Sequence, residues 1–579
     1  MRRAASLLFA TLAFVIGGVA VERIGLAADQ PKSKQQAKKE QLKKFKAKQA
    51  ARQKAKQAAK RRAEAEDEKA SAAKPVEPPK RATPNPSPAA AVAQMIDEHI
   101  DRKLAEAKVP AGPAASDDEF LRRAYLDLTG VIPTAAKTRA FLDSTDPQKR
   151  AKLIDELLAS ETYGKHQADL WVPKLFPRDS ANRFVLREPL AKWFADQFNA
   201  DTRWDKLVYD LVTASGTVAD NPAVTYYLAN RSVDKLTDTV TQHFLGVQLQ
   251  CAQCHNHPFN AWKQTEYWGM AAFFSKVQPQ NPRNPNRGGD AMQVGVRELP
   301  VKSRLRNFFP DSAKDVPPKF LGGPEPKLAS REPYRPELAE WMTGPRNPYF
   351  ARAMVNRTWG QLFGRGFVNP IEDMGEGAIA SHPELLDALT REFVKSGFDV
   401  KHLTRCICAS QAYQRTSKPS GSEADPALFA RMAVKVMTPE QLFDSLGRVT
   451  GFDRQMERAR ARAPKRPNAP TPRDQFVQFY LAGAEQAHPT EYEGGIPQAL
   501  KLMNSRIVGN PAAVRSIAPP GTKPAEAFEA IYLAALSRRP TGEEVTRLKE
   551  YAAKAGTPNE AYGDILWVVL NSSEFTAVR

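Results

Sequence analysis

Cysteine is scarce in this chain of 579 residues, which has four: Cys251, Cys254, Cys406 and Cys408. So few thiols exclude a disulfide-dense secreted scaffold. Familiar catalytic signatures are missing as well, because the chain has no GxSxG nucleophile elbow, no phosphate-binding glycine loop and no HExxH zinc motif. No pair of carboxylates stands out as a general acid and base. The sequence therefore leaves open whether this protein is an enzyme.

Long hydrophobic runs are also lacking, with one exception at the N-terminus. A short basic start, Arg2 and Arg3, precedes an uncharged apolar run over residues 4–21. This order is typical of an export signal, and we expect residues 1–28 to be a signal peptide. The alternative is an uncleaved membrane anchor, since the run is near the lower limit for spanning a bilayer. Either interpretation places the protein in the periplasm or cell envelope.

Positive charge is abundant, with a net charge of +19, but it is concentrated in one segment. Residues 31–81 carry 18 Lys and Arg against 6 Asp and Glu, which leaves the rest of the chain only mildly basic. Residues 29–90 are therefore predicted to be a Lys-rich arm, disordered or helical, that ends in a Pro/Ala linker. We expect this arm to contact anionic lipid or another polyanion, with a plain spacer as the alternative. No specific nucleic-acid partner is indicated.

The remaining chain is predicted to be mainly α, with two helical domains and little β structure. Val92, Ile96, Ile100 and Leu104 recur every four residues and mark the buried face of a first helix. The predicted domains cover residues 91–276 and 331–579. Between them, residues 277–330 are dense in Pro, Asn and Gly and form an irregular linker, with a short β element expected at MQVGVRELPV.

The most informative stretch is QCAQCHNHPF, residues 250–259. Cys251 and Cys254, three positions apart, could each form a thioether to one haem, with His255 as the axial iron ligand. Met270 is a candidate sixth ligand. Nearby aromatic residues could wall a haem pocket, although ordinary core packing is their simpler explanation: Phe259, Trp262, Tyr267, Trp268, Phe273 and Phe274.

Other chemistries suit the same residues. Cys251 and Cys254 could form a local disulfide, or they could bind zinc together with His255 or His257. Cys406 and Cys408 are two positions apart and point in different directions on a helix, so we interpret them as small buried hydrophobic residues.

A further histidine, His382, follows Ser381, which is a natural helix N-cap. A capping or surface role is the simplest interpretation of His382. One more hypothesis is a hydrolase that uses His257 and His382, but the sequence identifies no nucleophile for it.

Several long stretches resemble one known family pair. DDEFLRRAYLDLTGVIPT and HFLGVQLQCAQCHNHPFNAW are similar to the exported planctomycete family called domain of unknown function 1549. NPYFARAMVNRTWGQLFGRGFVNPIEDMG and SHPELLDALTREFVKSGFDVKHL resemble its usual partner, domain of unknown function 1553. The resemblance implies an exported, mainly helical, two-domain protein, but no established activity.

The resemblance also selects residues. It carries over the cluster of Cys251, Cys254, His255 and His257. It also carries over a second set of residues, from the second half of the chain: Asn356, Arg357, Trp359, Phe363, Gly364, Gly366 and His382. Asn256 stands where the family usually has Asp. If that carboxylate orients a histidine or joins a metal shell, the resemblance implies a weaker site in this member.

Two functions follow as expectations. The first is an envelope protein that binds one c-type haem at CAQCH and transfers electrons to a redox or envelope partner protein. The alternative is a scaffold or binding protein without haem, in which the Cys/His cluster is a structural zinc or disulfide clip, linked to polysaccharide processing.

Overall fold

The computed structural model describes most of the chain from residue 85 onward: residues 85–176, 186–258, 260–280, 291–298, 316–329, 331–375, 377–419, 424–452, 470–481, 495–505, 507–508 and 511–579. The predicted signal peptide, most of the Lys-rich arm, and Phe259 lie outside the described residues. The described residues belong to one compact unit. Within the described ranges, no helix is both long and apolar enough to cross a membrane.

The fold is mainly helical, as predicted. The helices before the irregular segment are α1 (Ala89–Ala107), α2 (Asp117–Thr129), α3 (Ala135–Asp143), α4 (Lys149–Ala159), α5 (Glu161–Leu175), α6 (Arg187–Asn199), α7 (Trp204–Val212), α8 (Thr225–Ala229), α9 (Val233–Leu245) and α10 (Gln264–Ala272). Those after it are α11 (Arg335–Met342), α12 (Phe350–Phe363), α13 (Pro383–Lys395), α14 (Val400–Ala409), α15 (Gln411–Gln414), α16 (Pro439–Thr450), α17 (Pro472–Tyr480), α18 (Ile496–Met503), α19 (Pro511–Ile517), α20 (Pro524–Ala535), α21 (Gly542–Ala552), α22 (Pro558–Leu570) and α23 (Ser573–Thr576).

Local sequence signals account for many of these helices. The four apolar residues that predicted α1 are all buried, so their spacing does mark its core face. Helix α16 begins as its sequence suggests: the Thr438 side chain accepts a hydrogen bond from the Gln441 N–H, and Pro439 occupies the first helical position. It ends at Gly451, whose positive φ of 67° a residue with a side chain rarely adopts.

The β structure is small. Strands β1 (Gly216–Thr217), β2 (Val277–Gln280) and β3 (Gly295–Glu298) form an antiparallel sheet in the order β1-β3-β2, with Val277 opposite Glu298. Strand β3 confirms the β element predicted inside the irregular segment. A second antiparallel pair joins β4 (Lys435–Val436) to β5 (Ala577–Val578).

The hydrophobic core extends across the predicted domain boundaries. One large cluster draws buried residues from both sides of the irregular segment, from Val92 to Met432. A second cluster contains Leu126, Ile132 and the apolar faces of the C-terminal helices. The two-domain division at residues 276 and 331 stays a prediction, whereas the packing of helices from both parts is observed.

Two buried arginines of α2 form hydrogen bonds to backbone carbonyls much later in the chain. The Arg122 guanidinium donates to the carbonyls of Ala535 and Phe575, and the Arg123 guanidinium donates to the carbonyl of Tyr413. Since buried guanidinium groups need several acceptors, these carbonyls hold α2 in one position. The double arginine of DDEFLRRAYLDLTG is therefore structural.

Candidate functional site

The CxxCH stretch lies on a short turn that follows α9. The sequence predicts a helix that delivers Cys251 near its C-terminal end, but α9 ends five residues earlier than Gln250, at Leu245. Gly246 ends it with a φ of 68°, and the chain then forms a 3-10 turn over Gln250–Gln253. The apolar residues of α9 and of the following connection are buried, and they hold the turn on the core: Leu236, Val240, Phe244, Val247 and Leu249.

The two cysteines of this turn are exposed free thiols. Ala252 between them is fully buried, so the turn is seated on the core by that residue. Residues three apart in a 3-10 turn are eclipsed, which favours Cys251 and Cys254 on one side. Cys406 and Cys408 are buried, as expected of small hydrophobic residues, and burial raises the pKa of the Cys406 thiol to about 12.

His255 is exposed, and the proton on its ring can be assigned. Its Nδ1 lies 2.6 Å from the backbone carbonyl oxygen of Asn256. A carbonyl oxygen can only accept, so Nδ1 carries the proton and donates it. The Nε2 lone pair is then free to bind a metal, which is the arrangement that metal-ligating histidines take in proteins.

His257 has the opposite arrangement. Its Nδ1 accepts a hydrogen bond from the backbone N–H of Asn260 at 3.1 Å, so Nε2 carries the proton. The backbone N–H of His257 donates to the Trp262 carbonyl oxygen at 2.8 Å. In this conformation His257 fixes the backbone of the 257–262 segment and presents an N–H, not a lone pair, at Nε2.

Helix α10 holds the turn from its other side. The Trp268 indole N–H and the Gln264 side-chain amide both donate to the Gln253 carbonyl oxygen, at 3.0 and 3.1 Å. The Asn256 Oδ1 accepts from the Gln264 N–H at 3.0 Å, at the first residue of α10. Asn256 therefore satisfies one of the unpaired N–H groups at the start of the helix.

The role of Asn256 gives a prediction about its exchange for Asp. We expect Asn256→Asp to raise the free energy of unfolding by about 0.3–1 kcal/mol at neutral pH, because a carboxylate there faces the positive end of the α10 dipole. Asn256→Ala removes the hydrogen-bond acceptor and is expected to lower the free energy of unfolding by about 1 kcal/mol. Urea unfolding of both variants checks the order; a destabilised Asn256→Asp would show that the residue does not act at the helix start.

A buried carboxylate supports the turn from the second half of the chain. Glu372 Oε2 accepts from the side chain of Gln242, and Gln242 Oε1 accepts from the side chain of Gln250, each at 3.2 Å. Gln250 is the residue before Cys251. A hydrogen-bonded path thus runs from Glu372 to the CxxCH turn across more than 100 residues of sequence.

Glu372 is surrounded by basic groups. Lys174 Nζ lies 2.7 Å and Arg357 Nη2 3.0 Å from its Oε1, and His243 Nδ1 lies 3.0 Å from its Oε2. Burial alone would raise the pKa of Glu372, but these neighbours outweigh it and hold the pKa well below its usual range. Burial lowers the pKa of His243. The cluster therefore holds an ionised carboxylate between two buried cations.

The segment that carries Glu372 contacts the residues on either side of the motif at two further points. The Met374 N–H donates to the Gly246 carbonyl oxygen at 2.7 Å. The Asn260 side chain packs against Gly375, where an added Cβ would be 3.3 Å from Asn260 Nδ2. The NPIEDMG stretch of the second half and the CxxCH region of the first half are thus one structural unit.

Asn356 and Arg357 support this unit from α12. The fully buried Asn356 amide donates to the carbonyls of Val368 and Ile371, and its Oδ1 accepts from the Val368 N–H at 2.9 Å. The Arg357 guanidinium donates to the His243 carbonyl and stacks on Trp171, 4.7 Å from the ring centroid. Both residues position the segment that contains Glu372.

The other candidates lie inside the core. Met270 is fully buried. The aromatic residues near the motif that the structure describes are buried too, which agrees with ordinary core packing: Trp262, Tyr267, Trp268, Phe273 and Phe274.

His382 is also buried, between the rings of Phe367 and Phe429. Burial lowers its pKa to about 4. The expected cap at Ser381 is displaced by one residue, because Pro383 begins α13 and His382 itself takes the N-cap position. The Ser381 hydroxyl instead lies 3.1 Å from His382 Nδ1.

His255, His257 and His382 do not meet in one metal site. In the part of the chain that the structure describes, no three His, Cys, Asp or Glu side chains lie close enough together to hold a metal ion. Sequence reasoning identified the CxxCH residues, Asn356 and Arg357. It missed Glu372, Gln242 and His243, although Glu372 and His243 lie in the quoted family-like stretches and Gln242 comes directly before one of them. A single Glu, Gln or His carries no local signal of burial.

Comparison with known families finds two matches in the chain. Residues 95–279 match the family model described as PSCyt2, a protein of unknown function (DUF1549), and residues 334–492 match PSD1, a protein of unknown function (DUF1553). The comparison with curated proteins and the comparison with solved structures gave no match. The structural unit described above therefore joins residues of both matched segments.

Proposed function

Because the chain belongs to the proteins that combine a DUF1549 domain with a DUF1553 domain, both of unknown function, we propose its function from the geometry of the CxxCH turn. We propose that this turn binds one c-type haem and that the protein transfers electrons at the cell envelope. Cys251 and Cys254 would form the two thioether bonds, and His255 would bind the iron.

The observation that carries the proposal is the state of His255. Its Nδ1 proton is held by the Asn256 carbonyl, so its Nε2 is the free ligand atom beside two exposed thiols. A backbone carbonyl on Nδ1 also makes a ligating imidazole more basic. His257, with its proton on Nε2, acts as a positioning residue for the loop.

The surroundings suit a bound group of this kind. Ala252, α9 and α10 seat the turn firmly on the core, while the thiols face solvent and can react with a haem brought from outside. When bound, a haem supplies one-electron chemistry. The chain supplies the attachment, the ligand and a fixed backbone.

Location and partners belong to the same proposal. Export through residues 1–28 would place the turn where c-type haem is attached, and the arm of residues 29–90 would contact an anionic surface by its charge. A redox protein of the envelope would be the electron donor or acceptor. A membrane anchor at the N-terminus is compatible with this role.

The test is to express the full chain in a host that matures c-type haem. We expect one covalently bound haem per chain in a pyridine haemochrome spectrum, and none in Cys251→Ala/Cys254→Ala. Changing His255 to Gln should keep the thioethers but alter the spectrum of the iron. Cys406→Ala is the matched control, because Cys406 is buried and outside the turn, and it should retain the haem.

A purified wild-type chain without covalent haem would overturn the proposal. If such a chain instead contained one zinc per molecule, or a Cys251–Cys254 disulfide, the scaffold function with a structural clip would replace it. Metal analysis and thiol counting on the same sample decide between these two.

A further inference from the structure

A row of contacts leads from the CxxCH turn to a carboxyl group on α9. The Trp268 indole N–H donates a hydrogen bond to the carbonyl oxygen of Gln253, which lies between the two cysteines in sequence. The Trp268 and Tyr267 rings meet edge to face with centroids 5.2 Å apart. The Tyr267 hydroxyl then donates to Asp238 Oδ1 at 3.0 Å. Asp238 is thus connected to the turn through two adjacent aromatic side chains.

Asp238 differs from the ion-paired carboxylates of the protein. It is partly buried, and burial is the main reason that its pKa rises to about 6. Asp234, one turn earlier on α9, raises the pKa further, whereas the Tyr267 hydroxyl and Lys235 lower it. Cys254 lies close enough to influence Tyr267 electrostatically. Asp238 therefore changes charge near pH 6, and Tyr267 is the residue that contacts Asp238 and is influenced by Cys254.

On the basis of the proposed haem attachment, we propose that Asp238 is a redox-linked proton site. A haem held at the turn would supply one-electron chemistry. Asp238 would then take up a proton from solvent when the redox partner delivers one electron, so that its carboxylate becomes a carboxylic acid and no bond to the haem is made or broken. Return of the electron to the partner would release the proton to solvent.

The physical reason is electrostatic. An added electron makes the turn more negative, so the nearby ionised carboxylate becomes less favourable and its proton affinity rises. By linkage, loss of the proton makes reduction harder by the same factor. A partly buried carboxyl group is suited to this coupling. The low local dielectric weakens the electrostatic interaction between the carboxylate and the added electron less than water would.

The experiment measures the midpoint potential of the haem-loaded protein from about pH 4.5 to 8.5, the range around the pKa of Asp238. We expect the potential to fall as pH rises through this range, by a total of about 59 mV if reduction raises the proton affinity of Asp238 tenfold. In Asp238→Asn the potential should be independent of pH in this range and close to the wild-type value at low pH, because the amide resembles the protonated acid.

Two further variants separate this role from a structural one. Tyr267→Phe removes a hydrogen bond that lowers the pKa of Asp238, so the falling part of the curve should move to higher pH. Glu384→Gln changes an exposed carboxylate on α13 that pairs with Arg102, and should leave the curve as in the wild type. A haem-loaded Asp238→Asn variant with the wild-type curve would overturn the inference and leave the haem proposal standing. Failure to attach haem at all, seen in the haemochrome spectrum, would overturn both proposals.

Discussion

Replacing Glu372 with glutamine is expected to lower the free energy of unfolding by about 3–5 kcal/mol. Glu372 contacts Lys174, Arg357 and His243 in the buried cluster, and 8% of its surface is exposed. The variant keeps the shape of the side chain but removes the negative charge that lies against these three basic groups. Removing one partner of a buried ion pair is among the costliest changes a protein interior can undergo.

The matched control is the same exchange at an exposed ion pair. The Glu384 side chain is 72% exposed and lies 3.1 Å from Arg102, so Glu384→Gln should cost no more than about 1 kcal/mol. Urea unfolding at pH 7 compares the two variants. Equal losses would mean that the Glu372 cluster is solvated in solution and does not support the turn.

The pH dependence of the Glu372→Gln effect has a definite sign. The pKa of Glu372 is lowered by folding, so its ionised form contributes stability above its ordinary pKa of 4.5, and this contribution is lost progressively as the pH falls below that value. The difference between wild type and variant should therefore be full at pH 7 and shrink in acid. A difference that grows below pH 4.5 would contradict the assigned charge state.

Trp359→Ala is expected to destabilise the protein by a similar amount, about 3–5 kcal/mol. The Trp359 ring is fully buried and stacks on Phe363 and Phe367, with centroids 4.1 and 4.2 Å away, and it meets Phe429 edge to face. Alanine leaves a cavity that these rings cannot fill without moving α12. Because Phe367 begins the segment that leads to Glu372, the support of the CxxCH turn should loosen as well.

Trp193→Ala provides the control for the loss of an indole ring. Trp193 is partly exposed and contacts Phe194 with ring centroids 5.0 Å apart. We expect Trp193→Ala to lower the free energy of unfolding by about 1 kcal/mol, since solvent can fill the space that the ring leaves. Thermal and urea unfolding of both variants test the comparison. Loss of equal size at the two positions would argue against a tightly packed Trp359 site.

These expectations concern different layers of one site. The thiols and His255 are at the surface, Asn256, Gln264 and Trp268 hold the turn locally, and Glu372 holds it from the second half of the chain. Chemistry at the surface layer can be removed without unfolding the protein. Changes in the buried layer should act on stability first and on the turn as a consequence.

The sequence by itself determined the helical class, the main helices and the CxxCH motif, because those features depend on residues close together in the chain. The four-residue spacing in α1 and the Thr438-Pro439 start of α16 are local signals, and both were sufficient. The same holds for Cys251, Cys254 and His255, whose spacing is itself the motif. The long quoted stretches likewise identified the family pair.

Only the tertiary structure decided which histidine offers a ligand atom and what supports the turn. His255 and His257 are two residues apart and alike in sequence, but the backbone gives one a carbonyl acceptor and the other an N–H donor. Glu372 became a partner of the motif because folding buried it beside Lys174, His243 and Arg357, far from each other in sequence. Burial and long-range pairing set the charge of these groups, and neither is encoded in local spacing.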